Sequence, residues 1–414
     1  MKMNKTENIK QGYKHTPLGW IPNEWEILEL GKLGKFSKGK GILKEQVLEN
    51  GIPCIRYGEI YTTHDFIVKE FRSFISEEVA NESQEIKKGD ILFAGSGETI
   101  EEIGKAVAYI GTEKAYAGGD VIILSTNSEV NPECLSYSLE TDITRKEKRK
   151  LGQGNSVVHI YSSDLATLKI PLPPLPEQTA IANLLSTWDK AIQSTTRLIA
   201  QKEQCKKWLM QQLLTGEKRL KGFSGEWKEY HLGDMFTERN ETGYFDLPLL
   251  SVGALGIYPQ SDSIKKDTSN EDKSKYRRIC PGDIGYNTMR MWQGRNALSK
   301  LEGIVSPAYT IVIPKENTDS LFFAYLFKTP KMMNLFWRNS QGLVDDTLNC
   351  KFKDFAIVKV YLPEKEEQTA IAAVLQAADK EIQLLKTKAE QLKEQKKGLM
   401  QILLTGKKRL IARE

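Results

Sequence analysis

The sequence predicts an α+β fold class: two mixed α/β globules separated by two long antiparallel helices forming a coiled coil. Two observations carry that expectation. The first is a repeat: Glu177–Leu220 reads EQTAIANLLSTWDKAIQSTTRLIAQKEQCKKWLMQQLLTGEKRL. It returns 190 residues later as Glu367–Leu410, EQTAIAAVLQAADKEIQLLKTKAEQLKEQKKGLMQILLTGKKRL, with 24 of 44 positions identical and no gap. Self-similarity on this scale dictates architecture before any local pattern does. The second is periodicity. Ile371, Leu375, Ala378, Ile382, Leu385, Ala389, Leu392, Leu399 and Leu403 alternate steps of four and three, broken only by Lys396. Ile181, Leu185, Trp188, Ile192, Ile199, Leu209 and Leu213 occupy the matching places of the first copy. A heptad seam this long predicts a coiled coil. A helix of roughly 38 residues spans about 57 Å and needs a partner, and the two copies are partners for each other.

In chain order, the first twenty or so residues are polar and loosely held until Leu18-Gly19-Trp20-Ile21-Pro22 begins to pack. Short apolar runs broken by turn residues follow. Gly51–Tyr57, Asp90–Phe93 and Asp120–Leu124 read as strands, and Pro132–Lys148 as a helix. The tract Ile170-Pro-Leu-Pro-Pro-Leu-Pro176 stiffens the chain into the first long helix, because proline fixes φ and removes an amide donor. Thr215-Gly216 and Thr405-Gly406 supply a left-handed cap at the end of each helix. After Gly216 the pattern restarts. Gly225-Glu-Trp227 echoes Asn23-Glu-Trp25, Gly282-Asp-Ile284 echoes Gly89-Asp-Ile91, and Asp354 through Pro363 echoes Asp164 through Pro173. The repeat unit is therefore a globule plus a helix, with predicted segments 1–175, 176–216, 217–364 and 365–414.

Composition narrows the function classes. At 414 residues, 40% apolar and 27% charged, the chain reads as ordinary globular protein with more than one domain, and its net charge of +5 does not by itself announce nucleic acid. Cys54, Cys134, Cys205, Cys280 and Cys350 lie far apart, which disfavours a zinc site or a disulfide framework and fits a reducing cytosol. The polar start MKMNKTENIK and the lack of a long apolar run predict neither a signal peptide nor a spanning helix.

Catalytic patterns are sparse. Phe93-Ala-Gly-Ser-Gly97 after a strand resembles the glycine-rich turn with which amino-methyltransferases hold S-adenosylmethionine. No Asn-Pro-Pro-Tyr or Asp-Pro-Pro-Tyr motif follows it, and the second globule has no such glycines at Tyr286–Gly294. His15, His64, His159 and His231 are scattered, and no nucleophile or catalytic carboxylate pair stands out. Neither a catalytic residue nor a metal site is predicted. What remains are polar loops. The first globule carries Lys38 and Lys40 between glycines, Arg56-Tyr57, Ser96 and Thr99 by the glycine-rich turn, Gln153, Asn155 and Ser156, and His159. The second carries Asn287, Arg290, Trp292, Gln293 and Arg295, then Arg338 and Gln341. Arginine and lysine suit guanine edges, asparagine and glutamine suit adenine edges, and glycine admits a close phosphate, so these residues are candidates for DNA contact; a merely solvated surface is the plain alternative.

The doubled globule and helix, the Leu-Pro-Pro-Leu-Pro-Glu-Gln178 lead-in and the Leu-Leu-Thr-Gly helix ends resemble the DNA specificity subunits of Type I restriction-modification systems over the whole chain. The second lead-in, Leu362-Pro-Glu-Lys-Glu-Glu-Gln368, departs by keeping one proline. Gly285–Gly294, Ser306–Tyr309 and Gln341–Asp345 look like one group of target recognition domains, and the first globule like another. The resemblance implies a non-catalytic subunit in which each recognition domain reads one half of a bipartite asymmetric DNA site. The helices would set the spacer and dock two methyltransferase subunits, which bring S-adenosylmethionine, flip the target adenine and methylate it; restriction or translocase subunits could join, and this chain would bind no cofactor. Seam residues Ile181, Leu185, Trp188, Ile192, Ile371, Leu375, Ile382 and Leu385 would pack helix on helix. Glu177, Gln178, Gln193, Lys207, Gln211, Glu367, Gln368, Gln383, Lys397 and Gln401 are candidate partner contacts, since one docking surface used twice would keep these positions alike. The rivals are a stand-alone methyltransferase using Phe93–Gly97 and a coiled-coil scaffold whose globules bind proteins.

Overall fold

A computed structural model describes residues 11–154, 157–253, 256–262, 269–344 and 347–410. By its internal contacts the chain divides into two compact units: Met1–Thr195 with Lys388–Glu414, and Thr196–Thr387. The long helices, Leu175–Leu213 and Lys365–Leu403, have 39 residues each, about 58 Å of helix. Each begins in one unit and ends in the other. Gly216 and Gly406, just past their ends, take φ +76° and +69°, the left-handed caps expected.

Each unit contains one globule closed by its own ends. In the first, Glu26–Glu29 pairs antiparallel with Lys169–Leu172; in the second, Lys228–His231 pairs antiparallel with Lys359–Leu362. The chain therefore enters and leaves each globule at one place, directly beside the start of a long helix. Inside the first globule a five-stranded sheet runs Gly34–Lys38, Val121–Thr126, Asp90–Ala94, Ala106–Tyr109, Ile67–Val68. A four-stranded sheet runs Ser73–Ile75, Ile52–Ile55, Ala115–Ala117, Gln84–Ile86. The second globule has one four-stranded sheet, Phe236–Glu238, Tyr309–Pro314, Ile284–Asn287, Asn296–Leu298. The echoed Gly-Asp-Ile motifs shape the same turn before a central strand: Asp90 accepts from Lys87 N–H at 2.7 Å, and Asp283 from Cys280 N–H at 2.8 Å.

Two local expectations shift. The strand in Gly51–Tyr57 is only Ile52–Ile55, because Tyr57 starts a short helix whose lead-in Arg56 N–H is held by the Glu59 carboxylate. Pro132–Lys148 is two helices, Pro132–Leu139 and Asp142–Leu151, since the Thr141 side chain caps a new helix at Thr144. The second helix is anchored by Lys148, buried with its Nζ 2.7 Å from Glu140 Oε1 and 2.8 Å from Gly104 O.

The cores differ in kind. The first globule packs aliphatic residues such as Ile91, Leu124, Leu135 and Ile170. The second packs a ring cluster in which Phe236 meets Phe323 edge-on at 4.9 Å, while Phe336 stacks on Phe355 at 5.9 Å. No helix of the described residues is long and apolar enough to cross a membrane.

Candidate nucleic-acid interface and helix clasps

Seam positions at each helix start are buried twice over. Ile181 and Leu185 share a core with Met400, Leu403 and Leu404 of the other helix and with Trp25 and Tyr137 of the globule. Ile371 and Leu375 do the same with Leu213, Leu214 and the ring cluster. The start of each helix thus meets the end of the other, so the pairing is antiparallel. Farther along, Ile382 is buried, whereas Trp188, Ile192 and Leu385 are only half-buried. Lys396, the polar break in the seam, is buried with its Nζ 2.7 Å from Asp189 and 3.7 Å from the Phe66 ring centre. Desolvation holds its pKa below the usual lysine value, with Asp189 opposing. Tyr137 O–H donates to the same Asp189 at 2.6 Å. The second unit repeats the arrangement: Lys206 and Tyr325 O–H donate to Asp379 at 2.5 and 2.7 Å.

Four candidate partner residues turn out to be internal. Glu177, Gln178, Glu367 and Gln368 are buried. Glu177 accepts from Trp25 Nε1 at 3.0 Å, Arg409 Nε at 2.9 Å and Leu410 N–H at 3.1 Å. Glu367 holds Arg219 through two bonds of 2.6 and 2.5 Å. Gln178 accepts from Asn131 N–H at 2.8 Å and donates to Pro173 O at 2.8 Å; Gln368 accepts from Asp319 N–H and donates to Pro363 O, both at 3.0 Å. The tail after each helix therefore clasps the start of the other. That explains the identity of Glu-Gln and Arg-Leu in both repeats without an outside partner. The remaining candidates stay accessible: Lys207, Gln211, Gln383 and Lys397 are exposed, Gln193 and Gln401 half-buried. Spacings of 14 and 18 residues return Gln193, Lys207 and Gln211 to one side of the helix.

Backbone bonds at one end of the first globule's five-stranded sheet tie several of its candidate DNA-contact loops together. Lys40 N–H bonds Ala117 O at 3.1 Å, Gly95 N–H bonds Asp120 O at 2.9 Å, and Ile160 N–H bonds Gly95 O at 3.0 Å. These bonds lace the Lys38–Lys40 loop, the glycine-rich turn and the His159 strand together. Lys38, Lys40, Tyr57, Thr99, Gln153 and His159 are exposed and Arg56 is half-buried. Ser96 is not a surface group: it is buried and its hydroxyl lies 3.0 Å from His159 Nδ1, so its role is to hold that ring. Asn155 and Ser156 lie outside the described residues. Sequence reading placed Asp142–Lys148 in a helix but named none of its basic residues as candidates; Arg145, Lys146, Arg149 and Lys150 are exposed there while Lys148 is buried.

In the second globule Asn287 and Arg295 are bridged by a 3.0 Å backbone bond, and the Asn287 side chain accepts from Met289 N–H at 3.0 Å. Trp292 donates to Met289 O at 3.2 Å and its ring packs partly against the aromatic core, while Arg290 is half-buried. Gln293, Arg295, Arg338 and Gln341 are exposed. Arg239, Arg277 and Arg278, by contrast, are tied to Asp283, Glu238, Glu241 and Glu302, so their charge is neutralised locally.

One device recurs in both globules. Gln153 and His159 exchange backbone bonds of 2.9 and 2.7 Å; Gln341 and Asn349 exchange bonds of 3.0 and 2.8 Å. Each hairpin is hooked to the turn after the central strand, by Ile160 to Gly95 and by Cys350 to Thr288. Both begin with Gln-Gly. Gly154 has φ +113° and a Cβ there would meet Val157 O at 2.2 Å; Gly342 has φ +151° and would meet Thr347 O at 2.7 Å. Among the described residues no group of three His, Cys, Asp or Glu is placed to hold a metal ion.

Two globules with unlike exposed polar loops, each closed beside the start of one of two repeated helices, define a protein built twice on one plan. The chain belongs to the family described as the Type I restriction modification DNA specificity domain, whose sequence pattern matches residues 22–204 and 224–394. It is similar to the type I restriction enzyme MjaVIII specificity subunit of Methanocaldococcus jannaschii, 26% identical over 443 residues covering 99% of this chain and 98% of that one. Over 206 residues it is 24% identical to the EcoKI specificity subunit of Escherichia coli, covering 48% and 43% of the two chains. In fold it resembles the crystal structure of a Type-I restriction-modification S subunit from M. genitalium, with TM-score 0.58, 15% identity and 98% of each chain covered.

Proposed function

We propose that this chain is the non-catalytic, sequence-specific DNA-binding subunit of a type I restriction-modification complex in the cytosol, with 1–175 and 217–364 as target recognition domains. Each reads one half of a bipartite asymmetric site, and the helical segments 176–216 and 365–414 set the unread spacer and dock two methyltransferase subunits. Those partners carry S-adenosylmethionine and methylate adenine; this chain holds no cofactor. The observation that carries this reading is the duplication itself, in which the clasps are repeated residue for residue while the exposed loops differ. A frame kept constant under two changing faces suits a protein that holds two different readers. The exposed Lys207, Gln211, Gln383 and Lys397, with half-buried Gln193 and Gln401, support docking of one partner type twice.

The test is methylation sequencing of a host expressing this chain with its methyltransferase partner. A two-part asymmetric adenine motif is expected, and exchanging either globule changes only one half; a continuous or palindromic motif refutes two different readers. Adding one heptad to both helices, about 10 Å, is expected to widen the spacer by about 3 base pairs.

A further inference from the structure

Each globule rests a short helix against the frame, and that helix is held at both ends. At its start, the Asn131 N–H that leads into Pro132–Leu139 donates to Gln178 on the first long helix at 2.8 Å. In its last turn Tyr137 O–H donates to Asp189 at 2.6 Å, eleven residues or about 16 Å further along that long helix. The second globule repeats both bonds across Ser320–Leu326, from Asp319 N–H to Gln368 at 3.0 Å and from Tyr325 O–H to Asp379 at 2.7 Å, again eleven residues apart. One attachment is a pivot, whereas two fix a direction. The far carboxylate of each pair is divided between elements: Oδ2 takes the globule's tyrosine and Oδ1 takes a lysine from the opposite long helix, Lys396 on Asp189 and Lys206 on Asp379. These lysines stand 190 residues apart at one place of the repeat, a seam position between apolar neighbours. A polar residue at such a position costs stability and specifies register. A buried ion pair adds little net stability over apolar residues of like size, so alignment is its better physical account.

We infer that the two triads, Tyr137 with Asp189 and Lys396 and Tyr325 with Asp379 and Lys206, are alignment pins: positioning residues that fix at once the register of the paired helices and the direction in which each globule leaves them. Under the DNA-reading function proposed above, on which this inference rests, the pins determine how strictly the unread spacer is measured. One base pair more or less shifts a half-site by about 3.4 Å and turns it by about 35°. A reader on a pivot follows that change; a pinned one meets it only by breaking its bonds. The pins are not equally stiff. Lys396 is buried, with its Nζ 3.7 and 4.7 Å from the Phe66 and Tyr137 ring centres, while Lys206 is half-buried and 5.2 Å from that of Tyr325. The Asp189 side chain is 13% exposed against 44% for Asp379. A hydrogen bond is stronger out of water, so the first pin is the stiffer.

The experiment uses the full chain assembled with its methyltransferase partner. Initial methylation rates are measured on duplexes carrying the site found by methylation sequencing, with the spacer kept, lengthened or shortened by one base pair. Tyr137→Phe and Tyr325→Phe each remove one hydroxyl and keep the ring packing. The parent's preference for its own spacer is expected to fall about tenfold in Tyr137→Phe, the worth of one hydrogen bond to a charged group. Tyr325→Phe, on the more exposed carboxylate, is expected to lose about threefold. In both, discrimination against a mismatched base pair within either half is expected to hold, because no base contact is touched. Asp189→Asn with Lys396→Met removes both charges of the first pin together, a change that buried pairs tolerate, and the same loosening is expected; it carries the test if Tyr137→Phe does not assemble. An unchanged spacer preference, a rate that falls alike at every spacer, or failure of both first-pin variants to assemble overturns the pins and leaves the triads a stabilising role. A parent complex that methylates no two-part site brings down the proposed function, and the pins' part in spacing with it.

Discussion

The two clasps are built from the same residues and are not the same clasp. Glu177 is shared by Trp25, Arg409 and the Leu410 amide, whereas Glu367, among the described residues, takes the side chain of Arg219. In the second unit the Trp227 indole nitrogen is buried with no hydrogen-bond partner among the described residues, and Arg219 lies over its ring at 5.8 Å. Arg219 is also bound more openly, at 27% side-chain exposure against 21% for Arg409. The repeated residues therefore give the same topology with different sets of donors. What changes the energetics is how many donors converge on one buried carboxylate.

The largest expected difference follows directly. Glu177→Ala leaves several donors unpaired in a buried site and is expected to cost about 3–5 kcal/mol in urea unfolding. Glu367→Ala frees one partly exposed arginine and is expected to cost about 1–3 kcal/mol. An equal or reversed order breaks the comparison.

Acid sensitivity should separate the units next. His64, in the first unit, is buried and its pKa is pushed down from 6.5 to about 4, first by burial and then by Lys105 and Arg72, with Asp65 opposing. The second unit's His231 is exposed. Because the folded pKa is the lower one, neutral His64 contributes stability present above about pH 6.5 and lost as pH falls toward 4. The loss is on the order of 3 kcal/mol. Unfolding measured from pH 8 to 4 should show this acid slope in the parent and a shallower one in His64→Phe; an unchanged slope rules out His64 as its source.

Smaller effects sharpen the contrast between faces. Arg295→Ala is expected to weaken DNA binding by about 1–3 kcal/mol and to relax only the half-site read by the second globule. Lys40→Ala should act in the first half alone. Relaxation of both halves by either variant contradicts independent readers. Smallest of all, charge reversal at exposed Lys207 or Lys397 is expected to weaken methyltransferase binding by about 1 kcal/mol each, read by titration calorimetry. An effect from only one of the pair would show that the repeated face is not used twice.

What the sequence by itself determined is what repetition and periodicity encode: the helices, their caps, the antiparallel frame and the two globules. Heptad spacing and a repeat without gaps are local and regular, so they survive reading along the chain. Only the tertiary structure decided which repeated residues look inward. Glu177 and Lys207 are alike in being polar, duplicated and off the apolar seam, yet one is buried under Trp25 and Arg409 while the other is exposed. The partners that bury Glu177 lie 152 and 232 residues away in sequence. A carboxylate's burial is set by such distant groups, and no spacing along the chain records them. The same holds for the paired Gln-Gly hairpins, whose equivalence rests on backbone bonds to turns after separate central strands and on two glycine φ angles.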